Sequence, residues 1–314
     1  MDTMNPELAH ASHLDGEFHH HHSHGAASHH PGHHHLLTVE GLTVAFEMYD
    51  DAVGFWAARR VRREVLHDLT VSVHQGEVLA VVGASGSGKT VLADALLGLY
   101  ESNAEVTGHI WFDGAECDAG ALASLRGHGI SLVPQGVDSL DPLMRVGEQV
   151  QGVPRGRTRA ERRADYEARV YRQRELFEAY GLAPEVADLY PHQLSGGMAR
   201  RVLLMCALMD TPKLIIADEP TPGLDLDLAV HALDDLRTFA DGSGGVLLIT
   251  HDLELALRVA DRVAVFRDGT VVEETSVASF ADPSLLRHPF SRALWHAMPE
   301  HDFAVQTAGE GDAR

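Results

Sequence analysis

Cysteine and lysine are almost missing from this chain of 314 residues. Two cysteines, Cys117 and Cys206, cannot build a disulfide framework and fit a reducing compartment. Lys89 and Lys213 are the only lysines among 25 basic residues. A lysine kept in so arginine-biased a chain points to a need for its compact point charge. Positive charge is itself scarce: 25 Lys and Arg against 46 Asp and Glu leave a formal net charge of −21. That balance repels phosphate backbones and argues against nucleic acid as a partner. No apolar run reaches the ~18 residues of a membrane span, and no basic flank precedes a greasy stretch at the N-terminus. The chain reads as cytosolic, and its 45% hydrophobic content suffices for a sizeable core.

The first 36 residues have a different texture. They hold 12 of the 22 histidines and neither Lys nor Arg, with too few apolar groups to offset the entropy of ordering. His19, His20, His21, His22, His24, His29, His30, His33, His34 and His35 are candidate transition-metal ligands. Purification tags are usually uninterrupted runs, whereas these histidines are broken by Gly, Ser, Ala and Pro. The segment therefore reads as a native, disordered, metal-binding tail.

Beyond it the pattern becomes regular. Leu37-Thr38-Val39 and Leu42-Thr43-Val44-Ala45-Phe46 read as two strands around a turn at Glu40-Gly41. Residues 57–64 read as a loop or short helix, and alternation resumes over 69–73. Residues 78–82, 214–217 and 246–250 are continuous apolar runs, the mark of strands buried on both faces. Helical spacing follows at 91–99, 155–180, 199–209, 226–239 and 253–260. Val263-Ala264-Val265-Phe266 and Thr270-Val271-Val272 form a hairpin around Asp268-Gly269. Buried strands alternating with helices predict an α/β fold with a parallel core. The arginines of 155–174 are interspersed with Glu161, Asp165 and Glu167 at helical spacing, a solvated face rather than a polyanion site.

Gly83-Ala84-Ser85-Gly86-Ser87-Gly88-Lys89-Thr90 matches the phosphate-binding loop G-x-x-x-x-G-K-[ST] between a buried strand and a helix. Glycines let backbone N–H groups wrap phosphates, Lys89 reaches the terminal phosphates, and the Thr90 hydroxyl suits Mg2+. With two lysines in the chain, a chance match has odds of roughly two in a thousand. The strand 214–217 runs into Asp218-Glu219; beside such a loop, the first carboxylate suits Mg2+ and the second a general base. Leu194-Ser195-Gly196-Gly197 opens an apolar helix, where it serves equally as an ordinary cap or as an anion site.

These three elements, in this order and spacing, resemble the ATP-binding-cassette ATPases, the motor subunits of membrane transporters. The resemblance spans about 37–300. It implies a P-loop NTPase core of RecA type (37–302), with an antiparallel β subdomain and a helical signature subdomain over about 136–208. Residues 303–314 are left as a C-terminal tail. It also implies that Gln135 senses Mg2+, that Asp225 is the D-loop aspartate, and that His251 is the switch histidine near the γ-phosphate. ATP contacts then come from residues 83–91, including Val91, from Ser195, Gly196, Gly197 and Asp218, and from an aromatic stacked on adenine. Phe46 stands at that aromatic position; Tyr49, Phe55 and Trp56 are alternatives.

Finer segments resemble the peptide and nickel importers of that family: residues 138–142 with 146–149, residues 190–198 with Met198 after the glycines, and His288-Pro289-Phe290-Ser291-Arg292-Ala293-Leu294. The resemblance implies a permease partner, a second ATPase subunit, an extracytoplasmic solute-binding protein acting indirectly, and a peripheral place on the cytoplasmic face of the membrane. No cysteine follows position 206, so an iron–sulfur cluster is not expected. Pro222-Gly223 departs from the family's usual residues before Leu224-Asp225. The histidine tail tilts the substrate toward nickel or cobalt, with peptides as the alternative.

Overall fold

The computed structural model describes residues 35–49 and 60–298. Strand β1 (His35–Tyr49) pairs antiparallel with β2 (Arg60–His74), and a turn at Gly76 leads into β3 (Val78–Gly83). Helix α1 (Lys89–Leu96) follows across the glycine-rich loop. Strand β4 (Ala104–Phe112) returns to β1, followed by β5 (Ala115–Glu116) and α2 (Ala119–Leu125). After β6 (Ile130–Val133) comes a helical stretch: α3 (Val146–Gln151), α4 (Arg159–Ala179) and α5 (Gly196–Leu208). Then β7 (Leu214–Asp218), α6 (Leu226–Asp241), β8 (Gly245–Thr250) and α7 (Leu253–Val259) alternate. The hairpin of β9 (Arg262–Arg267) and β10 (Thr270–Ser276) precedes α8 (Val277–Phe280) and α9 (Pro289–His296).

Two sheets result. One is four-stranded, in the order β2-β1-β4-β5; the other is six-stranded, β10-β9-β3-β8-β7-β6, parallel except for β10. The apolar runs explain the second. In β3, Val78, Ala80 and Val82 join one core with α5, α6 and α7, while Leu79 and Val81 join another with α1 and the antiparallel sheet. Strands β7, β8 and β9 divide their residues in the same alternation. Each fully buried Val, Leu or Ile contributes roughly 1.5–3 kcal/mol relative to exposure, so a strand placed elsewhere forfeits the burial of a whole face.

Three expectations about β1 and β2 change. The turn at Glu40-Gly41 is a bulge inside one long strand: Gly41 takes φ +59°, and the register slips there against both β2 and β4. From Arg60 onward the expected loop or short helix is strand β2, because Arg60, Arg62 and Arg63 pair with Tyr49, Glu47 and Phe46 across β1. Residues 57–59 lie outside the described residues. The third change is at the tail boundary: His35 and Leu36 belong to β1, with Leu36 buried and the His35 ring 4.5 Å from that of His74. The remaining tail histidines and residues 303–314 lie outside the described residues.

The arginine-rich helix α4 starts on a capping box of Thr158 and Glu161 and pairs with its own acids, as in Arg163–Glu167. Arg169 departs from the solvated-face reading. Its guanidinium is buried and reaches Asp165 at 2.7 Å and Asp210 at 2.5 Å, locking α4 to the end of α5. The C-terminal segment is held similarly: Glu273 on β10 accepts from the backbone N–H groups of Arg287 and His288, fixing the start of α9. Among the described residues no helix is long and apolar enough to cross a membrane.

Candidate active site

The C-terminal ends of β3, β8 and β7 lie side by side, with Val82 paired to Thr250 and Asp218 to Ile249. In a parallel sheet that edge is where loops gather a ligand. Three of the sequence-defined segments therefore converge: the loop 83–90, the Asp218-Glu219 pair and His251.

The loop is shaped by close approach and by handedness. A Cβ on Gly83 would sit 2.2 Å from the Phe266 carbonyl oxygen of β9, so only glycine lets these strands pack. Gly88 caps α1 at φ +108° with no side-chain bond to the helix, which leaves the first-turn N–H groups to an external acceptor. Ser85 and Gly86 are exposed, and the Ser87 hydroxyl donates to the Ala84 carbonyl at 2.7 Å. Lys89 is 6% exposed and folds back inside the loop, its Nζ donating to the carbonyls of Gly83 at 2.9 Å and Ala84 at 3.0 Å. Burial lowers its pKa, against the pull of Glu219 and Asp218. The ammonium is thus held where an anion in the loop would attract it. Thr90 is exposed at the head of α1, and Val91 is half-buried against the second core.

Asp218 is buried at the end of β7. Burial raises its pKa, partly offset by the Thr90 hydroxyl, and its Oδ1 has no hydrogen-bond partner. A buried carboxylate with an unused oxygen beside a hydroxyl fits a small oxygen-liganded cation, and Mg2+ has that chemistry. Glu219 sits next to it with φ +48°, a left-handed conformation that an ordinary side chain adopts only under constraint. Its backbone N–H donates to the Ile249 carbonyl at 2.8 Å, and its Oε2 accepts from His251 Nδ1 at 2.8 Å. The strain turns the buried carboxylate toward the loop side of the sheet, and the exposed imidazole orients it.

The other candidates stand apart. Ser195 and Gly196 are exposed at the head of α5, with the Ser195 hydroxyl accepting from Met198 N–H at 3.3 Å. Asp225 likewise caps α6, accepting from Leu228 N–H at 2.9 Å. Both residues are genuine N-caps, and both helix ends remain open to solvent. Among the described residues no hydrogen bond or ion pair joins Ser195, Gly196, Gly197 or Asp225 to the loop 83–90. Gln135 is exposed, and its backbone carbonyl is held by Arg200. Phe46 is half-buried on β1 against the second core; Tyr49 is exposed beneath the Arg60 guanidinium, and Phe55 and Trp56 lie outside the described residues. Sequence reasoning missed Arg200. The available signal was a charged residue on the same helical stripe as the buried Leu204 and Leu208.

Comparison with known proteins bears on the same segments. The ABC transporter family profile matches residues 66–222, from within β2 to just past Glu219. The oligopeptide transport ATP-binding protein OppD of Lactococcus lactis subsp. cremoris is 38% identical over 253 residues, covering 76% of this chain and 71% of that protein. The glutathione import ATP-binding protein GsiA of Pectobacterium atrosepticum is 39% identical over 251 residues, covering 76% of this chain and 40% of that one. Among solved structures, the ATP-binding cassette MJ0796, a dimer in a post-hydrolysis state with ADP and Pi, superposes with a TM-score of 0.61 at 27% identity. It covers 77% of this chain and 98% of its own. With a strand–loop–helix phosphate cradle, an acidic strand end beside it and these relatives, the chain belongs to the ABC transporter family, as one of its ATP-hydrolysing cassettes.

Proposed function

We propose that this cassette powers the import of oligopeptides, as a peripheral subunit on the cytoplasmic face of a membrane permease. The observation that carries the reading is the relatives' identity, 38% to OppD across 76% of this chain, in proteins named for oligopeptide and glutathione import. The segments at 138–142, 146–149, 190–198 and 288–294 agree with it, although they resemble peptide and nickel importers alike. Nickel or cobalt, the expectation drawn from the histidine tail, is less well supported. That argument rests on residues outside the described part, whereas the relatives are named for oligopeptide and glutathione import.

In the proposed cycle the N–H groups of residues 85–90 wrap the phosphates of ATP. The Lys89 ammonium leaves the Gly83 and Ala84 carbonyls for the terminal phosphates, exchanging neutral acceptors for anionic ones. Thr90, Asp218 and Gln135 hold Mg2+, which when bound neutralises charge on the phosphate oxygens. Glu219 takes the proton of the attacking water, with His251 fixing its carboxylate and facing the γ-phosphate. Phe46 is assigned the adenine. Ser195, Gly196, Gly197 and Asp225 serve the ATP of a second cassette, a like or sister subunit, whose own residues complete the site on this chain. Gln135 and the adjoining helical stretch pass closure to the permease, where exposed Leu143 and Met144 offer an apolar contact. A solute-binding protein delivers the peptide from outside.

Reconstitution in liposomes with permease and partner cassette tests the substrate. Labelled oligopeptide should accumulate with ATP and fail to do so with Glu219→Gln. ATP-driven accumulation of nickel, with none of peptide, would reverse the choice.

A further inference from the structure

Arg200 has no role in the cycle above, yet its surroundings are unusual for a charged residue. It lies on α5, five positions past Ser195, and is 6% exposed. Among the described residues it pairs with no carboxylate. Its Nη1 donates to the carbonyls of Pro134 at 3.0 Å and Gln135 at 2.7 Å, its Nη2 donates to the carbonyl of Pro222 at 3.2 Å, and its Nε is buried without a partner. Desolvation lowers its pKa. A buried cation satisfied only by neutral carbonyls is a poor way to stabilise a helix face, where a leucine would pack at lower cost. What the guanidinium supplies is reach: a rigid fork with donors on two sides, which an ammonium or an apolar side chain lacks.

The three carbonyls belong to two separate loops. One leaves β6 with Gln135; the other connects Glu219 to Asp225. An apolar pocket of about 40 Å³ lies against Arg200, Gly197, Leu224 and Leu228, so the contact between α5 and the start of α6 is loosely filled. The hydrogen-bonded fork is the stiff element of that contact. We propose that Arg200 is a positioning residue, a buried strap that makes the Gln135 loop and the 220–225 turn move as one unit with the helix bearing Ser195, Gly196 and Gly197 when ATP closes the cassette. This rests on the roles proposed for Gln135 and Asp225. The turn's anchoring group is the backbone carbonyl of Pro222, which any residue there would supply.

The test uses the assembled transporter. Arg200→Met, similar in length and able to remain in an apolar contact, should lower kcat at least about tenfold while leaving the KM for ATP within about twofold, because positioning and not nucleotide binding is lost. Hydrogen exchange should show residues 134–140 and 220–226 losing protection together on Arg200→Met, with residues 83–90 unchanged. Arg200→Lys keeps the charge but holds one loop at a time; it should recover part of kcat and the protection of one loop only. A folded Arg200→Met with wild-type kcat overturns the proposal, as does a loss of exchange protection spread over the whole cassette. Should Arg200→Met not fold, wild-type kcat and two protected loops in Arg200→Lys would be equally decisive. Gln135→Ala and Asp225→Ala run alongside. If both retain wild-type kcat, the underlying role assignments fail; if both are impaired and Arg200→Met is not, only the strap fails.

Discussion

The two ends of the proposed ATP machinery are built differently. At the loop end, the groups are already engaged with one another: Lys89 with the carbonyls of its own loop, Thr90 with Asp218, Glu219 with His251. These residues sit at or just past the ends of β3, β7 and β8, neighbours in one sheet. The partners that Lys89 and Thr90 hold now are ones a phosphate or a cation would displace, whereas in the proposed cycle His251 stays on Glu219. At the other end, Ser195 and Asp225 each cap a helix and turn an exposed N-terminus to solvent. Among the described residues nothing fills that end. The first region is poised to receive a ligand, whereas the second is poised to be presented to one held elsewhere. In the proposed cycle, one receiving half-site and one donated half-site make the cassette work in pairs; the structural relative MJ0796 is itself a dimer.

The sharpest way to break this comparison is at Glu219. Glu219→Gln keeps the shape and the bond to His251 but cannot accept a proton. Turnover in the assembled transporter should fall by roughly 10²–10⁴-fold with ATP binding unchanged, and wild-type turnover would sink the base assignment. Next in size is Ser195→Arg, which obstructs the donated end alone. Hydrolysis at concentrations that support pairing should drop by about 10²-fold, while titration of the isolated chain with a fluorescent ATP analogue should give the wild-type affinity. A parallel loss of affinity would mean that Ser195 serves its own chain's site. Lys89→Ala should do the reverse, weakening that same titration by roughly ten- to a hundredfold through loss of one charge-assisted contact.

The smallest expected effect lies behind the donated end. Asp235 on α6 is partly buried beside the pocket under Gly197, and burial pushes its carboxyl up to about 6, with partial relief from His231. An unfolded aspartate gives up its proton near pH 4. Between about pH 4 and 6 the folded chain binds the extra proton, so stability declines as pH rises through that window and stays lower above it. Asp235→Asn should therefore add about 1 kcal/mol to unfolding stability near pH 7.5 and nothing near pH 4, as read by denaturant titration at both values. A gain that persists unchanged at pH 4 would show that the carboxyl charge is not its source.

Legibility in the sequence tracked the distance over which each feature is encoded. The phosphate loop is one contiguous segment whose glycines answer to local handedness and close packing, so its residues could be named from their order. Strands β3, β7 and β8 were readable because burial on both faces leaves an uninterrupted apolar run. Strand β1 was read as two pieces because the bulge at Gly41 imitates a turn until its partners on β2 and β4 are known. Residues 60–64 hid their strand because arginines there are stabilised by Glu47 and Glu105 across the sheet, not by local alternation. Arg169 and Arg200 look alike as letters; one is held by carboxylates of α4 and the end of α5, the other by carbonyls of two distant loops.

The sequence by itself determined the chemistry available to this protein: a single phosphate loop, an Asp-Glu pair ending an apolar strand, a serine–glycine helix start and a parallel α/β core. All of these follow from short-range rules of backbone handedness, burial and capping. Only the tertiary structure decided which groups meet. Glu219 finds His251 because β7 and β8 are adjacent, Asp218 finds Thr90 because β7 ends beside α1, and Arg200 spans two loops because α5 packs beneath both. Such meetings depend on strand order and helix placement, which come from burying two faces of one sheet at once and have no signature in any single stretch of chain.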